Sequence, residues 1–509
     1  MRTSIWQYII RCNYMLICML LLSTAHSQQA NERGRPNIIL ILADDLGYND
    51  LSTYGNKNIP TPNLDKLAKS GVRMLNGYCS SPICSPSRAG IMTGRYQQKF
   101  GFEFQERDAP IGKYSIWQKA AFVQRAMREG DHIDFKKDLN APPNGLPEKE
   151  PTIASLLKKE GYHTAAIGKW NLGRASYQVP PAKGFDYFYG FYSAAGLYAD
   201  PKDTSIYNKK LDEILDPAVW FREGNSEIRR NDSIVTEKRY LTFAFADEAT
   251  SFIRRQKDSA FFLYLAFNAP HTPFQAPNEF VQKFSNVKDE TKRVYYAMIA
   301  ALDDAIGKVL NTLDETGITK NTLIIFTSDN GGATYTQATD NEPLKGGKMS
   351  HFDGGLKVPF MISYPAKISG GTTYDYPISL LDILPTCLSA ANRSFPDTTN
   401  VDGVNLMPFL NGTNTNRPHP VLYWRNGYSK AIRKDDFKLY INEKEKVMFL
   451  YDLSKDPSEQ TDLSNTQPEK IKELENELKK WEQNLAQPMW KSRFQFRLKV
   501  RDRKFIFPT

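Results

Sequence analysis

Four short apolar runs each end in polar residues, and this repeated pattern constrains the fold more than any other feature of the chain. The runs cover residues 37–43, 163–167, 260–267 and 322–327, and each has the length and apolar character of a buried strand. Helical patterns closed by glycine lie between them, at residues 63–70, 152–160 and 294–316. Strands and helices at this spacing predict an α/β fold with a large, mostly parallel sheet sandwiched by helices.

The polar residues that follow the four runs predict the place of a functional site. They are Asp44-Asp45, Gly168-Lys169-Trp170-Asn171, Pro270-His271-Thr272 and Ser328-Asp329-Asn330-Gly331-Gly332. Ligands of open α/β sheets bind beyond the carboxyl ends of the strands. We therefore expect these four groups to meet at one edge of the sheet.

Length and pattern predict two domains. A chain of 509 residues with 41% apolar content can form one large core and a smaller one. After residue 400 the pattern changes to short alternating strands at residues 421–424, 429–432 and 437–441, followed by a charged amphipathic helix at 468–487. We predict an α/β domain at residues 28–400 and a smaller C-terminal α+β domain at residues 401–509, with a short antiparallel sheet.

Two segments interrupt or extend this plan. Residues 105–146 form a long polar and aromatic insertion, which we interpret as a functional element near the site, with passive surface elaboration as the alternative. The tail at residues 490–509 is basic and aromatic. It can dock on the main domain or contact an anionic chain, and we favour docking.

The first 27 residues have the pattern of a signal peptide. Arg2 and Arg11 precede the apolar run 15–22, and Ala25-His26-Ser27 forms a small-residue cleavage site. The run is too short to span a bilayer comfortably, although a short membrane anchor is the alternative. We predict an exported protein, periplasmic or secreted, with no stable membrane anchor.

The charge of the chain is mildly positive. The formal net charge is +9, and the predicted signal peptide accounts for two of these charges. Such a field favours an anionic ligand by steering. It lacks the clustered Lys and Arg residues of a nucleic-acid-binding surface, so we predict no nucleic-acid partner.

The most specific string of residues begins at Cys84. It reads Cys84-Ser85-Pro86-Ser87-Arg88 and continues to Thr93-Gly94-Arg95. Pro86 suits the first turn of a helix, whose N-terminal amides attract an anion, and Arg88 can donate two hydrogen bonds to a tetrahedral oxyanion. By itself, Cys84 could equally be a small buried residue.

This string resembles the signature of the type I, formylglycine-dependent sulfatase family, which belongs to the alkaline phosphatase-like superfamily. Further segments resemble family motifs: Ala43-Asp44-Asp45-Leu46-Gly47-Tyr48, Thr61-Pro62-Asn63-Leu64-Asp65, Gly168-Lys169-Trp170, Ser328-Asp329-Asn330-Gly331, Gly346-Gly347-Lys348, Leu450-Tyr451-Asp452-Leu453 and Asp456-Pro457. The resemblance implies that a formylglycine-generating maturation enzyme converts Cys84, and that the hydrated aldehyde attacks sulfur.

The resemblance also implies a metal site and a set of catalytic residues. Asp44, Asp45, Asp329 and Asn330 offer oxygen ligands, and together with residue 84 they would hold one Ca²⁺. Arg88, Lys169 and Lys348 would bind the sulfate, and His271 would protonate the leaving oxygen, a role that suits imidazole. The chain has only six histidines, which disfavours a two-zinc phosphatase.

Asn171 departs from the family pattern. Members of the family usually have histidine at this position, where it is thought to accept a proton during regeneration of the aldehyde. An asparagine can form hydrogen bonds but cannot accept that proton. Turnover would then need water, another residue or the network around the metal.

The substrate class is inferred from weaker signals. Residues 94–98 and 100–103 resemble exported sulfatases that act on polysaccharides. Aromatic and basic residues of the insertion can contact sugars and sulfates or simply pack within the loop: Tyr114, Trp117, Lys119 and Arg125. We expect hydrolysis of sulfate esters on a sulfated carbohydrate. The alternatives are a phosphonate monoester or phosphodiester hydrolase, and a catalytically inactive binder of sulfated glycans.

Overall fold

The structure is a computed structural model that describes residues 35–106, 144–211, 222–393, 401–492 and 495–509. The predicted signal peptide and residues 107–143 of the predicted insertion lie outside the described residues, as do Tyr114, Trp117, Lys119 and Arg125. Within the described ranges, no helix combines the length and the apolar character that crossing a membrane requires.

The main body of the protein is a ten-stranded sheet. Its strands are β1 (Asn37–Asp44), β2 (Val72–Met74), β4 (His163–Lys169), β5 (Tyr187–Phe191), β7 (Arg229–Arg230), β8 (Ser233–Ile234), β9 (Phe261–Pro270), β11 (Thr322–Ser328), β12 (Phe360–Ser363) and β13 (Thr372–Tyr374). Their order is β13-β2-β12-β11-β1-β9-β4-β5-β7-β8, and the five strands from β11 to β5 are parallel. The predicted α/β fold with a mostly parallel sheet is confirmed.

The remaining described strands form four smaller sheets. Three of them have two strands each: β3 (Gly77–Tyr78) with β14 (Ile378–Ser379), β6 (Ile206–Lys209) with β10 (Phe274–Pro277), and β19 (Gln495–Val500) with β20 (Arg503–Pro508). The fourth has four strands in the order β15 (Val421–Asn426), β16 (Ser429–Lys434), β17 (Phe437–Asn442) and β18 (Val447–Asp452). The predicted short antiparallel sheet is the four-stranded sheet β15–β18.

Helices cover both faces of the large sheet. The α-helices are α1 (Pro62–Ser70), α2 (Cys84–Thr93), α3 (Ile153–Lys159), α4 (Leu241–Gln256), α5 (Asn278–Lys283), α6 (Glu290–Glu315), α7 (Asp353–Leu356), α8 (Ile383–Ala390), α9 (Met407–Leu410) and α10 (Pro468–Glu482). The 3₁₀-helices are Tyr48–Asp50, Ser52–Tyr54, Gln97–Phe100, Pro180–Lys183, Gly224–Ser226, Thr319–Asn321, Thr334–Thr336 and Leu380–Asp382.

The side chains of β1 show how the two cores form. Successive residues of a strand point to opposite faces. Leu40 and Leu42 join the core that contains Ile91 of α2. Ile41 joins the opposite core, which contains residues of α4 and α6 such as Phe245 and Leu302. A strand that is apolar on both faces is therefore buried between two helical layers.

The four-stranded sheet packs between α10 and a loop of the main body. Leu474 and Leu478 of α10 pack against Leu439 on one face of the sheet. On the other face, Tyr440 packs against Phe352, with ring centroids 4.6 Å apart. Phe352 lies in the loop between β11 and α7, so the C-terminal sheet supports a loop that begins at the carboxyl end of a central strand.

A buried group of three charges joins the C-terminal sheet to this loop. The ammonium of Lys438 lies 2.5 Å from the carboxylate of Asp353 and 2.9 Å from that of Glu459. Glu459 also accepts a hydrogen bond from the backbone amide of Asp353, at 2.8 Å. All three side chains are almost fully buried, so each charge depends on the others.

We predict that Lys438→Met destabilises the protein by about 3–5 kcal/mol, because it leaves two buried carboxylates without their cation. Urea unfolding measures this change. The matched control is Lys455→Met, which removes an exposed ion pair with Asp452 and is expected to cost less than about 1 kcal/mol. Equal losses in the two variants would show that the buried group does not stabilise the protein.

Candidate active site

The four groups of polar residues meet at the carboxyl edge of the central strands. Asp44 ends β1, Lys169 ends β4, His271 follows β9 and Asp329 follows β11. These four strands are neighbours in the order β11-β1-β9-β4. Ligand atoms of Asp44, Asp45, Cys84 and His271 lie within 4.8 Å of one another.

Cys84 is the first residue of α2, and its side chain points at the two aspartates. Its Sγ lies 3.4 Å from Oδ1 of Asp44 and 3.6 Å from Oδ1 of Asp45. Burial, followed by the charge of Asp329, raises the pKa of the thiol well above its usual value. An unmodified Cys84 is therefore protonated at neutral pH and is a weak nucleophile.

Arg88 lies one turn further along α2 and is fully buried. Its Nε and one terminal nitrogen each lie 2.8 Å from Oδ2 of Asp329, and its other terminal nitrogen donates to the backbone oxygen of Lys169 at 3.0 Å. Arg88 thus connects α2 with the ends of β11 and β4. The hydroxyl of Tyr264, on β9, accepts a further hydrogen bond from Arg88 at 3.4 Å.

Two lysines pair with the two aspartates beside Cys84. Nζ of Lys169 lies 2.6 Å from Oδ2 of Asp44, and Nζ of Lys348 lies 2.8 Å from Oδ2 of Asp45. Burial opposes ionisation of Asp45, but the charge of Lys348 outweighs it and holds the pKa of Asp45 below its usual value. Burial also opposes ionisation of Asp44, but the nearby positive charges, that of Lys169 above all, outweigh it and hold the pKa of Asp44 below its usual value.

His271 faces the same cluster through one ring nitrogen. Its Nδ1 lies 2.6 Å from the backbone oxygen of Thr272, which can only accept, so Nδ1 carries a hydrogen. Its Nε2 lies 3.6 Å from Oδ2 of Asp45 and is the nitrogen that gains or loses a proton at the site. Burial and then the charge of Lys348 lower the pKa of His271, which favours the neutral imidazole.

The oxygen atoms at the site fit a divalent cation. Oδ1 of Asn330 is buried and has no hydrogen-bond partner among the described residues. Nδ2 of Asn330 donates to Oδ1 of Asp45 at 2.8 Å, which holds the amide beside the carboxylates. A buried acceptor without a donor is costly unless a cation or water binds it. Asp44, Asp45, Asp329 and Asn330 offer carboxylate and amide oxygens, the ligand type that a hard cation prefers.

Glycines allow the turn after β11 to lie against the loop that carries Lys348. A Cβ atom on Gly331 would lie 1.9 Å from the backbone oxygen of Gly354. Asn341 supports the same loop, since its Nδ2 donates to the backbone oxygens of Gly332, Gly346 and Gly354 at 3.0–3.1 Å. Asn330 and Lys348 are thus positioned by one tightly packed backbone.

Asn171 belongs to a ring of hydrogen bonds that our reading of the sequence missed. Its side chain donates to Glu106 at 3.3 Å and accepts from Gln105 at 3.2 Å. Gln105 and Glu106 in turn contact Ser85, which follows Cys84 directly. No motif marks Gln105 or Glu106, because their contacts arise from residues 20 and 66 positions away.

The site balances its charges before any ligand binds. The three carboxylates of Asp44, Asp45 and Asp329 face the three cations of Arg88, Lys169 and Lys348, and all six side chains are buried. A divalent cation would add positive charge, which an anionic ester would offset. The fold and this arrangement of charges define the class of protein as a hydrolase of anionic esters.

Comparison with known proteins identifies the family. The family model described as sulfatase matches residues 36–393, and one described as the C-terminal region of N-sulphoglucosamine sulphohydrolase matches residues 347–487. The chain belongs to the sulfatase family and is a sulfuric ester hydrolase. The expected family resemblance is confirmed. Sulfatases generally use formylglycine and a divalent metal.

Individual relatives extend over most of the chain. Human steryl-sulfatase is 30% identical over 481 residues, covering 82% of this chain and 77% of the relative. N-acetylgalactosamine-6-sulfatase from Rattus norvegicus is 32% identical over 412 residues, covering 80% and 71%. The crystal structure of Ps i-CgsB has a TM-score of 0.76 and 32% identity, and the alignment covers 90% of this chain and 94% of that one.

We predict that Asn330→Ala removes most of the stabilisation that a divalent cation gives. A cation at about 100 times its Kd stabilises a protein by about 2.7 kcal/mol, measured as the rise in Tm with added CaCl₂. The control is Asn311→Ala, at an exposed position of α6, which should leave the rise unchanged. An equal rise in both variants would place the cation elsewhere.

Proposed function

We propose that this sulfatase cleaves the S–O bond of sulfate esters on a sulfated carbohydrate, with a formylglycine derived from Cys84 as nucleophile and Ca²⁺ as its metal. The observation that carries this proposal is the position of Cys84, at the start of α2 and within 3.6 Å of both Asp44 and Asp45. The raised pKa of the thiol argues against cysteine itself as the nucleophile. The hydrated aldehyde of formylglycine supplies an oxygen nucleophile at this position.

Asp44, Asp45, Asp329, Asn330 and residue 84 would hold the Ca²⁺. When bound, the cation offsets negative charge on the nucleophile and on the sulfate. Ca²⁺ takes six to eight oxygen ligands in flexible geometry, and this set consists of carboxylate and amide oxygens. The pairing of Arg88 with Asp329 orients that carboxylate in advance.

Lys169, Lys348 and Arg88 would bind the sulfate group. Each lysine lies next to an aspartate that flanks Cys84. Three cations around one tetrahedral anion fix its orientation for attack and stabilise the charge that develops on its oxygens. The N-terminus of α2 adds the positive end of a helix dipole.

His271 would donate a proton to the leaving oxygen of the substrate. Nδ1–H is held by the backbone oxygen of Thr272, so Nε2 faces the cluster with its lone pair. A proton at Nε2 is stabilised by the nearby carboxylate of Asp45. In the free site, burial and then the charge of Lys348 outweigh this attraction and lower the pKa of His271. Arrival of an anionic sulfate ester adds negative charge beside the imidazole and so favours the proton.

Similar proteins support a carbohydrate substrate. Ps i-CgsB, at 32% identity, was also crystallised in complex with k-i-k-neocarrahexaose, with a TM-score of 0.75 to this chain. The relative from Rattus norvegicus is named for a sulfated sugar, although human steryl-sulfatase is named for a steroid. We propose further that the protein is exported and that a formylglycine-generating enzyme matures it.

The proposal predicts release of free sulfate from a panel of sulfated polysaccharides and oligosaccharides in the presence of Ca²⁺. Cys84→Ala should abolish release, because it removes the residue that becomes the nucleophile. The control is Cys387→Ala, which removes another buried cysteine and should retain activity. Release that persists in Cys84→Ala would contradict the proposed nucleophile.

The same preparation separates sulfate esters from phosphorus esters. Faster turnover of an aryl phosphodiester than of any sulfate ester would favour a phosphodiester hydrolase. Binding of sulfated polysaccharide without any release, with residue 84 shown to be formylglycine by mass spectrometry, would favour a binding protein.

His271→Asn should lower kcat for a sulfated sugar by about 10²–10⁴-fold, because the sugar alkoxide needs a proton to leave. Turnover of 4-nitrophenyl sulfate should fall far less, since its phenolate leaves without one. His163→Asn, at an exposed position of β4, serves as the control. Equal losses on both substrates would assign His271 to binding and not to proton donation.

A further inference from the structure

The C-terminal hairpin β19–β20 has two faces of different chemistry. One face is buried and carries Leu498, Val500, Phe505 and Phe507, which cluster with aromatic side chains of the C-terminal sheet. The other face carries Arg497, Lys499 and Lys504, all exposed. The alternation of side chains along a strand separates the two sets. The hairpin therefore docks on the rest of the protein through its apolar face.

The exposed face of the hairpin concentrates positive charge. Lys499 lies directly opposite Lys504 in the register of the hairpin, and like charges in such cross-strand pairs destabilise a sheet. The ion pairs between described residues include none with Arg497, Lys499 or Lys504. Residues 495–509 contain five cationic side chains and one carboxylate, Asp502. An external anion would offset this repulsion.

The hairpin lies beside the active-site loops. Met349, which follows the sulfate-binding candidate Lys348, belongs to the same buried cluster as Leu498 and Phe507. Phe496 of the hairpin packs against Tyr335, with ring centroids 6.3 Å apart. Tyr335 lies in the loop that follows Asn330. The apolar face of the hairpin therefore packs beside the active-site loops, and the face with Arg497, Lys499 and Lys504 is turned to the opposite side.

We propose that the outward face of hairpin β19–β20, formed by Arg497, Lys499 and Lys504, binds sulfate groups of a polysaccharide outside the site that cleaves them. This inference rests on the proposed function, because it supposes a polymeric sulfated substrate. Arginine donates paired hydrogen bonds to sulfate oxygens, and the lysines add point charges. The face extends along both strands of the hairpin and, among the described residues, exposes no large apolar side chain that could insert into a bilayer, which favours an extended polyanion over a membrane surface.

The test measures binding of the full chain to immobilised carrageenan, a sulfated galactan. All proteins carry Cys84→Ala so that turnover cannot alter the result. The hairpin triple variant is Arg497→Gln, Lys499→Gln and Lys504→Gln. The helix triple variant removes three exposed positive charges from α10 and serves as the matched control: Lys472→Gln, Lys479→Gln and Lys480→Gln.

The hairpin triple variant should bind carrageenan about tenfold more weakly, since each exposed ion contact contributes modestly. Its binding should also depend less on salt, because fewer ion contacts are screened. The helix triple variant should bind like the parent. With Cys84 restored, the hairpin triple variant should raise KM for carrageenan about tenfold and leave kcat for 4-nitrophenyl sulfate unchanged.

Folding of the variants is checked by Tm. Relief of the repulsion between Lys499 and Lys504 predicts a Tm at or above that of the parent. Should the triple variant fail to fold, Lys499→Gln alone tests the same surface, with a smaller loss of binding expected in the same direction.

Three results would overturn this inference. They are unchanged carrageenan binding by the hairpin triple variant, equal losses in both triple variants, and binding of that face to anionic phospholipid vesicles without binding to carrageenan. The proposed function can fail separately. If restored Cys84 releases no sulfate but the hairpin triple variant still loses binding, the hydrolytic proposal fails and the binding surface stands.

Discussion

The pairing of three buried carboxylates with three buried cations is the constraint on which the rest of the structure depends. A charge removed from water is costly unless an opposite charge and hydrogen bonds meet it. Asp44, Asp329 and Lys169 stand at the ends of three different strands, and Arg88 joins two of these ends from α2. The charges meet because β11, β1, β9 and β4 are neighbours in the sheet. The strand order therefore positions the site.

The C-terminal sheet takes part in this arrangement because it supports the loop that carries Lys348. Lys345, three residues earlier, donates to the hydroxyl of Tyr451 at 2.8 Å and to the backbone oxygen of Glu459 at 3.2 Å. Phe352, four residues later, packs against Tyr440. Both ends of the loop are thus held by residues more than 85 positions away. The C-terminal segment is therefore structurally coupled to the loop that carries Lys348, the residue proposed to bind sulfate.

The sequence predicted the parts of the structure that depend on local pattern. Apolar runs such as residues 37–43 and 322–327 indicated the central strands. Because ligands of such sheets bind beyond the carboxyl ends of the strands, Asp44 and Asp329 were expected to lie close together. Pro86 indicated the start of α2. The contacts of Asn171 with Gln105 and Glu106 could not be predicted, because no periodicity links residues brought together by a long connection. The support of Lys348 by the C-terminal sheet was missed for the same reason.

The central claim is that residue 84, once converted, performs the hydrolysis. Its most direct test produces the chain with graded amounts of a formylglycine-generating enzyme and measures two quantities on each preparation. Mass spectrometry gives the fraction of residue 84 present as formylglycine, and sulfate release gives the rate per mole of protein. The account predicts a rate proportional to that fraction, with no activity in protein that retains Cys84 throughout. An unconverted protein with full activity, or a converted one that releases no sulfate from any ester, would contradict it.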